Sequence, residues 1–205
     1  AAVCYNKTDA PKLSLNDIME GLSLQLITYL LALSKTKSTK DLLPAAMMYI
    51  YLHGRPKSMS VPPNGIPHAK EKENTNGIFL NDPDVLRTLD SQSGTDDGFI
   101  GVSYVKDGSV KKTSPVLTAE EFEALKALTE KILIRLYSRL ESGEIAIHPV
   151  KNGTLSPCSY CPYRSICRFD PALPENSFDY ISKVSDKTIR EKLDEEMKRT
   201  GKENL

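Results

Sequence analysis

Apolar residues recur along this chain with two different periods, and the changes of period mark its elements. Leu22, Leu26, Tyr29, Leu30 and Leu33 fall at i, i+4, i+7, i+8 and i+11, a stripe along one helical face. This predicts a helix from Ser14 to about Thr36, capped by Ser14 or Asn16, with Asp17 and Glu20 suited to its positive end. Pro44 then opens an almost unbroken apolar run, 45–52, as expected of a strand covered on both faces. Residues 54–76 hold four prolines and two glycines and no period, which reads as a long surface loop. Gly77 to Leu80 is a short strand, and Asp82-Pro83 starts a short helix through Leu89. Phe99 to Val105 alternates loosely as a strand, followed by an Asp107-Gly108 turn. Thr118-Ala-Glu-Glu121 is a capping box that launches the longest helix, to about Ser142 before Gly143. Its expected buried stripe is Phe122, Leu125, Leu128, Ile132, Leu136 and Leu140. A strand at 144–148 and a charged helix from Ser185 to about Arg199 complete the pattern. These elements predict an α/β (α+β) fold: a small mixed sheet, 45–52 at its centre, flanked by the helices 15–35 and 118–142.

Composition narrows this little. Of 205 residues, 40% are hydrophobic and 26% charged, ordinary proportions for a globular protein. Lys plus Arg and Asp plus Glu balance at 27 each, so bulk charge does not mark a polyanion-binding protein. No apolar run approaches the roughly 20 residues of a membrane span, and the first residues carry no signal-peptide pattern. A cytoplasmic chain with no membrane partner is expected. Because the sequence opens at Ala1 without Met, a processed or excised piece is the expectation.

The candidate chemistry is concentrated in the cysteines. Cys158, Cys161 and Cys167 form a C-x2-C-x5-C knuckle, while Cys4 lies at the other end of the chain. In a reducing compartment, thiols clustered this way favour metal over disulfide. Arg164 and Arg168 nearby favour the thiolates. His148 would complete a Cys3His zinc site, and Cys4 an all-cysteine site of zinc or [4Fe–4S] type. The bland alternative is three small buried residues. Gln25 and Tyr29, at i and i+4, project from one helical face and can jointly bind phosphate or a metal-bound water, although a core tyrosine beside an exposed glutamine has the same spacing. Lys7, in Tyr5-Asn-Lys7-Thr, and the small basic groups Lys35, Lys37, Lys40 and Lys111-Lys112 read in isolation as solvated surface. Neither G-x-G-x-x-G nor G-x4-G-K-[ST] occurs, so ATP hydrolysis belongs to another chain or region.

Taken in order, five segments resemble the C-terminal nuclease domain of the AddB (RexB) component of bacterial helicase–nuclease complexes, of the RecB-like PD-(D/E)xK superfamily. Gly21-Leu-Ser-Leu-Gln25-Leu-Ile-Thr-Tyr29-Leu is similar to that family's Gln-x3-Tyr helix, and Pro44-Ala-Ala-Met-Met-Tyr-Ile-Tyr to the strand after it. Gly77 to Asp90 resembles its strand and short helix, and Leu117 to Pro149 its long helix and exit strand. C-x2-C-x5-C-x-F-D, ending at Asp170, resembles its iron–sulfur staple. The resemblance implies a partial nuclease core at 1–150, a cluster knuckle at 151–175 and a helical tail at 176–205. It implies a Mg²⁺-dependent deoxyribonuclease working on duplex-break ends with an ATPase/helicase partner (AddA/RexA-like). Lys7, Gln25 and Tyr29 would be its catalytic residues, and Cys158, Cys161 and Cys167 would hold a [4Fe–4S] cluster whose fourth cysteine lies far upstream. Two features depart from the family pattern. Counting back from Gln25, Lys7 falls on the catalytic lysine, but Tyr5 stands where the acidic metal ligand belongs. The earlier acidic strand is expected before Ala1. This segment is therefore expected not to cut DNA alone. Two rival readings remain at this stage: a zinc-binding protein or nucleic-acid interaction module built on Cys158, Cys161, Cys167 and His148, and a nuclease fold kept only as a scaffold between subunits.

Overall fold

The computed structural model describes residues 1–7, 13–39, 41–51, 75–95, 98–153, 156–174 and 176–203, with the backbone alone at Lys7, Tyr51 and 200–203. Its main sheet has the order β1-β2-β3-β4, formed by β1 (Ala2–Lys7), β2 (Ala46–Tyr51), β3 (Asn76–Leu80) and β4 (Val116–Leu117). β1 runs parallel to β2, from Ala2 opposite Ala46 to Lys7 opposite Tyr51. β3 is antiparallel to β2, and β4 is parallel to β3. The sheet is mixed, as the sequence predicts, and the apolar run 45–52 supplies an inner strand.

Both faces of β2 are covered, which explains the lack of alternation in its sequence. Met47 and Tyr49 face a core shared with Val3, Leu26, Ile27, Leu30, Phe122 and Leu125. Ala46 and Met48 face a second core with Phe79, Leu86, Ile100, Val102 and Val116. The pairing of β2 and β3 is close at Gly77, opposite Met48. A Cβ there would lie 2.6 Å from the Met48 Cβ and 2.9 Å from the Met47 carbonyl oxygen, so only glycine fits.

The single helix predicted for 15–35 is two: α1 (Leu15–Met19) and α2 (Gln25–Lys35). Gly21, with φ +81°, makes the left-handed turn between them. Leu22 thus leaves the helix, and Tyr29 is exposed. The buried side of α2 is Leu26, Ile27 and Leu30, which shifts the predicted stripe by part of a turn. α3 (Pro83–Leu89) follows the sequence reading, with the Asp82 carboxylate accepting from the amides of Asp84 and Val85.

Phe99 to Val105 is not a strand. Only isolated bridges join Thr75 to Ile100 and Tyr104 to Val110. Side chains take the place of a ladder: the buried Asp90 carboxylate accepts from the amides of Phe99 and Ile100, and Ser114 Oγ accepts from the Ser103 amide. The Asp107-Gly108 turn does form, with the Gly108 amide donating to the Val105 carbonyl at 3.0 Å. The loop predicted at 54–76 lies outside the described residues except for its last two, of which Asn76 opens β3.

α4 (Ala119–Glu141) starts with the predicted capping box, Thr118 and Glu121 each accepting from the other's backbone. Its apolar side is buried through Ile132; Leu128 and Leu136 are half-buried and Leu140 is 78% exposed. The stripe outlasts its partner surface because 23 residues of helix span about 35 Å, whereas strands of five or six residues span about 20 Å. Beyond it, 144–148 is not a strand: it has no neighbour to pair with, and Ile145 is 90% exposed. The chain pairs one step later, β5 (Val150–Lys151) lying parallel to β6 (Asp179–Tyr180). α6 (Asp186–Glu203) then returns along α4 and adds Ile189 and Leu193 to the larger core. Arg190 bonds Glu121, and Lys131 pairs with Glu196.

β1 is an edge strand with Cys4 exposed, yet neighbouring atoms desolvate the sulfur and push the thiol pKa up. A raised pKa means less thiolate at a given pH. The pH midpoint for Cys4 alkylation by iodoacetamide, followed by peptide mass spectrometry, should lie higher in the folded chain than in urea; equal midpoints would refute this environment. In chemical denaturation, Phe122→Ala should cost about 3–5 kcal/mol, whereas Leu140→Ala should stay within about 0.5 kcal/mol.

Candidate functional site

Two places in the fold hold the residues singled out by their chemistry. The first is formed by β1 and the start of α2. Leu26, Ile27 and Leu30 seat α2 on the face of the sheet where Val3 lies, so strand and helix are brought together. Gln25 opens the helix, half-buried, and its Nε2 donates to the Tyr29 hydroxyl at 3.4 Å. The pair therefore meets across one helical turn on an exposed face, as i and i+4 spacing requires. This rules out the core-tyrosine alternative for Tyr29. Tyr5 pairs in register with Tyr49, and Lys7 closes β1 at the register position opposite Tyr51. Position 7 shares the strand parity of Val3 and Tyr5, which is the α2 side of the sheet.

Mg²⁺ does not fit these residues. β1 reads Ala-Val-Cys-Tyr-Asn-Lys, with no carboxylate to ligate a hard cation. Among the described residues, no three His, Cys, Asp or Glu side chains gather where they could hold a metal ion.

The second place is the cysteine knuckle. A 3-10 turn, Pro157–Tyr160, carries Cys158, whose amide donates to the capping Ser156 Oγ at 3.3 Å. Cys161 follows it, and the single helical turn α5 (Arg164–Cys167) carries the third thiol. That turn ends at Arg168, left-handed at φ 51°. Cys158 and Cys161 are half-buried and Cys167 is exposed; all three are free thiols. In kind and number they suit three corners of a cluster, although as they stand they do not form a metal-holding group. His148 takes no part in a four-ligand set: its Nδ1 lies 3.5 Å from Ser177 Oγ, at the mouth of the β5–β6 pair. Cys4 remains on β1.

The residues after the knuckle have structural tasks that the motif alone does not reveal. The Phe169 ring packs edge-on against Phe178 at 4.8 Å, and Lys151 Nζ lies 5.0 Å over the Phe178 ring. Asp170 Oδ1 accepts from the Ala172 amide, and its carbonyl accepts from Asn176 Nδ2. The C-x-F-D segment thereby ties the knuckle to β6. The sequence reading missed the contact between Glu121 and Arg190 at 2.5 Å. Glu121 was visible only as a cap residue, and nothing local links it to a side chain 69 positions away.

Comparison with known proteins agrees with this geometry. A profile of the PD-(D/E)XK nuclease superfamily matches residues 5–168. The chain is 32% identical over 194 residues to the B subunit of an ATP-dependent helicase/deoxyribonuclease of Desulforamulus reducens, covering 89% of this chain and 16% of that protein. Proteins of the same description from Bacillus licheniformis (32%, 97% and 18%) and Bacillus subtilis (31%, 95% and 17%) are similar to the same extent. The chain thus spans less than a fifth of the length of these relatives. With a profile match over most of its length, and β1 paired in parallel with β2 beside the Gln25–Tyr29 helix, the chain belongs to the PD-(D/E)XK nuclease superfamily.

Proposed function

We propose that this chain is the nuclease-fold portion of a helicase/deoxyribonuclease component that processes the ends of broken duplex DNA together with an ATPase/helicase partner. The observation that carries the reading is the superfamily match over residues 5–168, from β1 through α2 to the knuckle, joined to the meeting of Gln25 and Tyr29 on the exposed side of α2. The relatives' description, as one of the subunits of an ATP-dependent helicase/deoxyribonuclease, supplies the reaction class and the need for a motor. The chain itself has no phosphate-binding glycine loop, so the ATPase is assigned to another part of the assembly. Gln25 and Tyr29 orient the DNA backbone by hydrogen bonds, and Lys7 contributes positive charge beside the phosphate. Family membership favours this reading over a zinc module.

The missing carboxylate at Tyr5 limits what this chain does alone. Incubated with linear duplex or single-stranded DNA and Mg²⁺ or Mn²⁺, it should release no nucleotides above the buffer control. Robust degradation that Lys7→Ala abolishes would overturn the claim of inactivity.

Cys158, Cys161 and Cys167 are assigned to three corners of a [4Fe–4S] cluster, with the fourth corner filled by a thiol from outside these residues. When bound, the cluster staples the knuckle; these residues only hold it. Anaerobic reconstitution with iron, sulfide and excess small thiol should yield about four iron and four sulfide per chain. Cys161→Ser should lose the cluster. Stoichiometric zinc without labile sulfide would replace this assignment with the zinc site.

A further inference from the structure

The small strand pair β5–β6 has two unlike sides. Val150 lies opposite Asp179, and Lys151 opposite Tyr180. Alternation along the strand puts Ser177 and Asp179 on one side, Phe178 and Tyr180 on the other. The first side is turned toward the end of α4. Ser177 Oγ meets His148 Nδ1 at 3.5 Å, and Glu144 first, with Asp179 after it, raises the Arg139 pKa. The second side is a row of rings. Phe169 and Phe178 pack edge-on with centroids 4.8 Å apart, and Phe178 and Tyr180 follow at 6.1 Å. Lys151 Nζ lies 5.0 Å from the Phe178 ring centre and 5.8 Å from that of Tyr180. The row ends in the open, with Tyr180 70% exposed.

The charge beside this row is of one sign. From Ile145 to Phe169 the chain carries Lys151, Arg164 and Arg168 and no Asp or Glu. Arg168 directly precedes Phe169, and Arg164 is one turn behind, its carbonyl accepting from the Arg168 amide at 3.0 Å. Both arginines are exposed. None of the three cations forms an ion pair among the described residues. Two carboxylates are near in the chain. Asp179 is on the other side of β6, and Asp170 Oδ1 is turned to the Ala172 amide at 2.9 Å. An open ring invites a flat apolar partner, and unpaired cations invite an anion. An acidic peptide answers only the second demand. A single nucleic-acid strand, with unstacked bases between phosphates, answers both.

We propose that the Phe178–Tyr180 side of β5–β6, with Lys151, Arg164 and Arg168, binds single-stranded DNA, a base stacking on Tyr180 and the neighbouring phosphates meeting the cations. The choice of DNA rests on the DNA-processing reading above; the choice of a single strand rests on the open ring. A duplex keeps its base faces in its own stack and offers this surface only phosphates. The site uses none of Lys7, Gln25, Tyr29 or the cysteine thiols.

Fluorescence anisotropy of labelled oligo-dT of about 16 nucleotides, in EDTA, should show saturable binding at least about ten-fold tighter than that of a blunt duplex or an abasic strand of the same length. Tyr180→Ala should weaken oligo-dT binding about ten-fold, and Tyr180→Phe should retain it. With three cations engaged, raising salt from about 50 to about 200 mM should weaken binding roughly fifteen-fold, but only about three-fold in Lys151→Gln with Arg168→Gln. Should Tyr180→Ala loosen the β5–β6 pair, the abasic strand and the lysine–arginine variant carry the test. An abasic strand or duplex bound as tightly as oligo-dT, no saturation by about 100 μM chain, or full binding in a folded Tyr180→Ala would each overturn the proposal. Because binding is read without a divalent metal and on variants of the knuckle and β5–β6 alone, its failure leaves the nuclease reading standing.

Discussion

One carboxylate joins three parts of this fold. Glu121 sits in the first turn of the longest helix, where one oxygen accepts from the Thr118 amide at 2.8 Å. Its other oxygen takes the Arg190 guanidinium, whose second nitrogen reaches the Val116 carbonyl on β4 at 3.1 Å. Helix start, sheet edge and C-terminal helix are thereby fixed at one point. A nearly buried carboxylate is tolerated only with its oxygens satisfied, and here they are, by a backbone amide and a cation. The Lys131–Glu196 pair holds the same two helices together further along.

From that anchor the chain divides into a supported and an unsupported part. The first half of α4 is buried against α2 and α6, whereas its far half carries Ile134, Tyr137 and Leu140 into solvent. The knuckle continues this exposed apolar character with Tyr160, Tyr163 and Ile166. A fold this size buries only part of its apolar surface, and the excess gathers where the sheet ends. The cysteines are set in that less supported part, on short turns held by Phe169, Asp170 and the two-residue β5–β6 pair.

Local rules were enough wherever one interaction dominated. The Thr118–Glu121 cap, the Asp82 cap with Pro83 behind it, and the two-sided run of β2 all follow from neighbouring residues, and the structure has each of them. The i, i+4 placement of Gln25 and Tyr29 fixed their meeting for the same reason. Periodicity misled where an apolar or alternating stretch had no partner to meet. Phe99 to Val105 gave its amides to Asp90 and Ser114, 144–148 lay exposed, and the helix 15–35 was divided by a glycine whose positive φ no periodicity count detects. β1 was visible only through family resemblance, because its alternation is weak and it is half-exposed at an edge.

Residue order thus fixes the helix caps, the inner strand, the cysteine spacing and the superfamily, because each rests on contacts within a few positions or on motifs read in sequence. Packing decides the rest. It pairs β1 with β2 across 44 positions, sets Arg190 on Glu121, buries the Asn16 side-chain oxygen without a partner, and lets the end of α4 run out past its sheet. These are meetings between residues far apart in the chain, and their geometry depends on how two layers of unequal length are laid against each other.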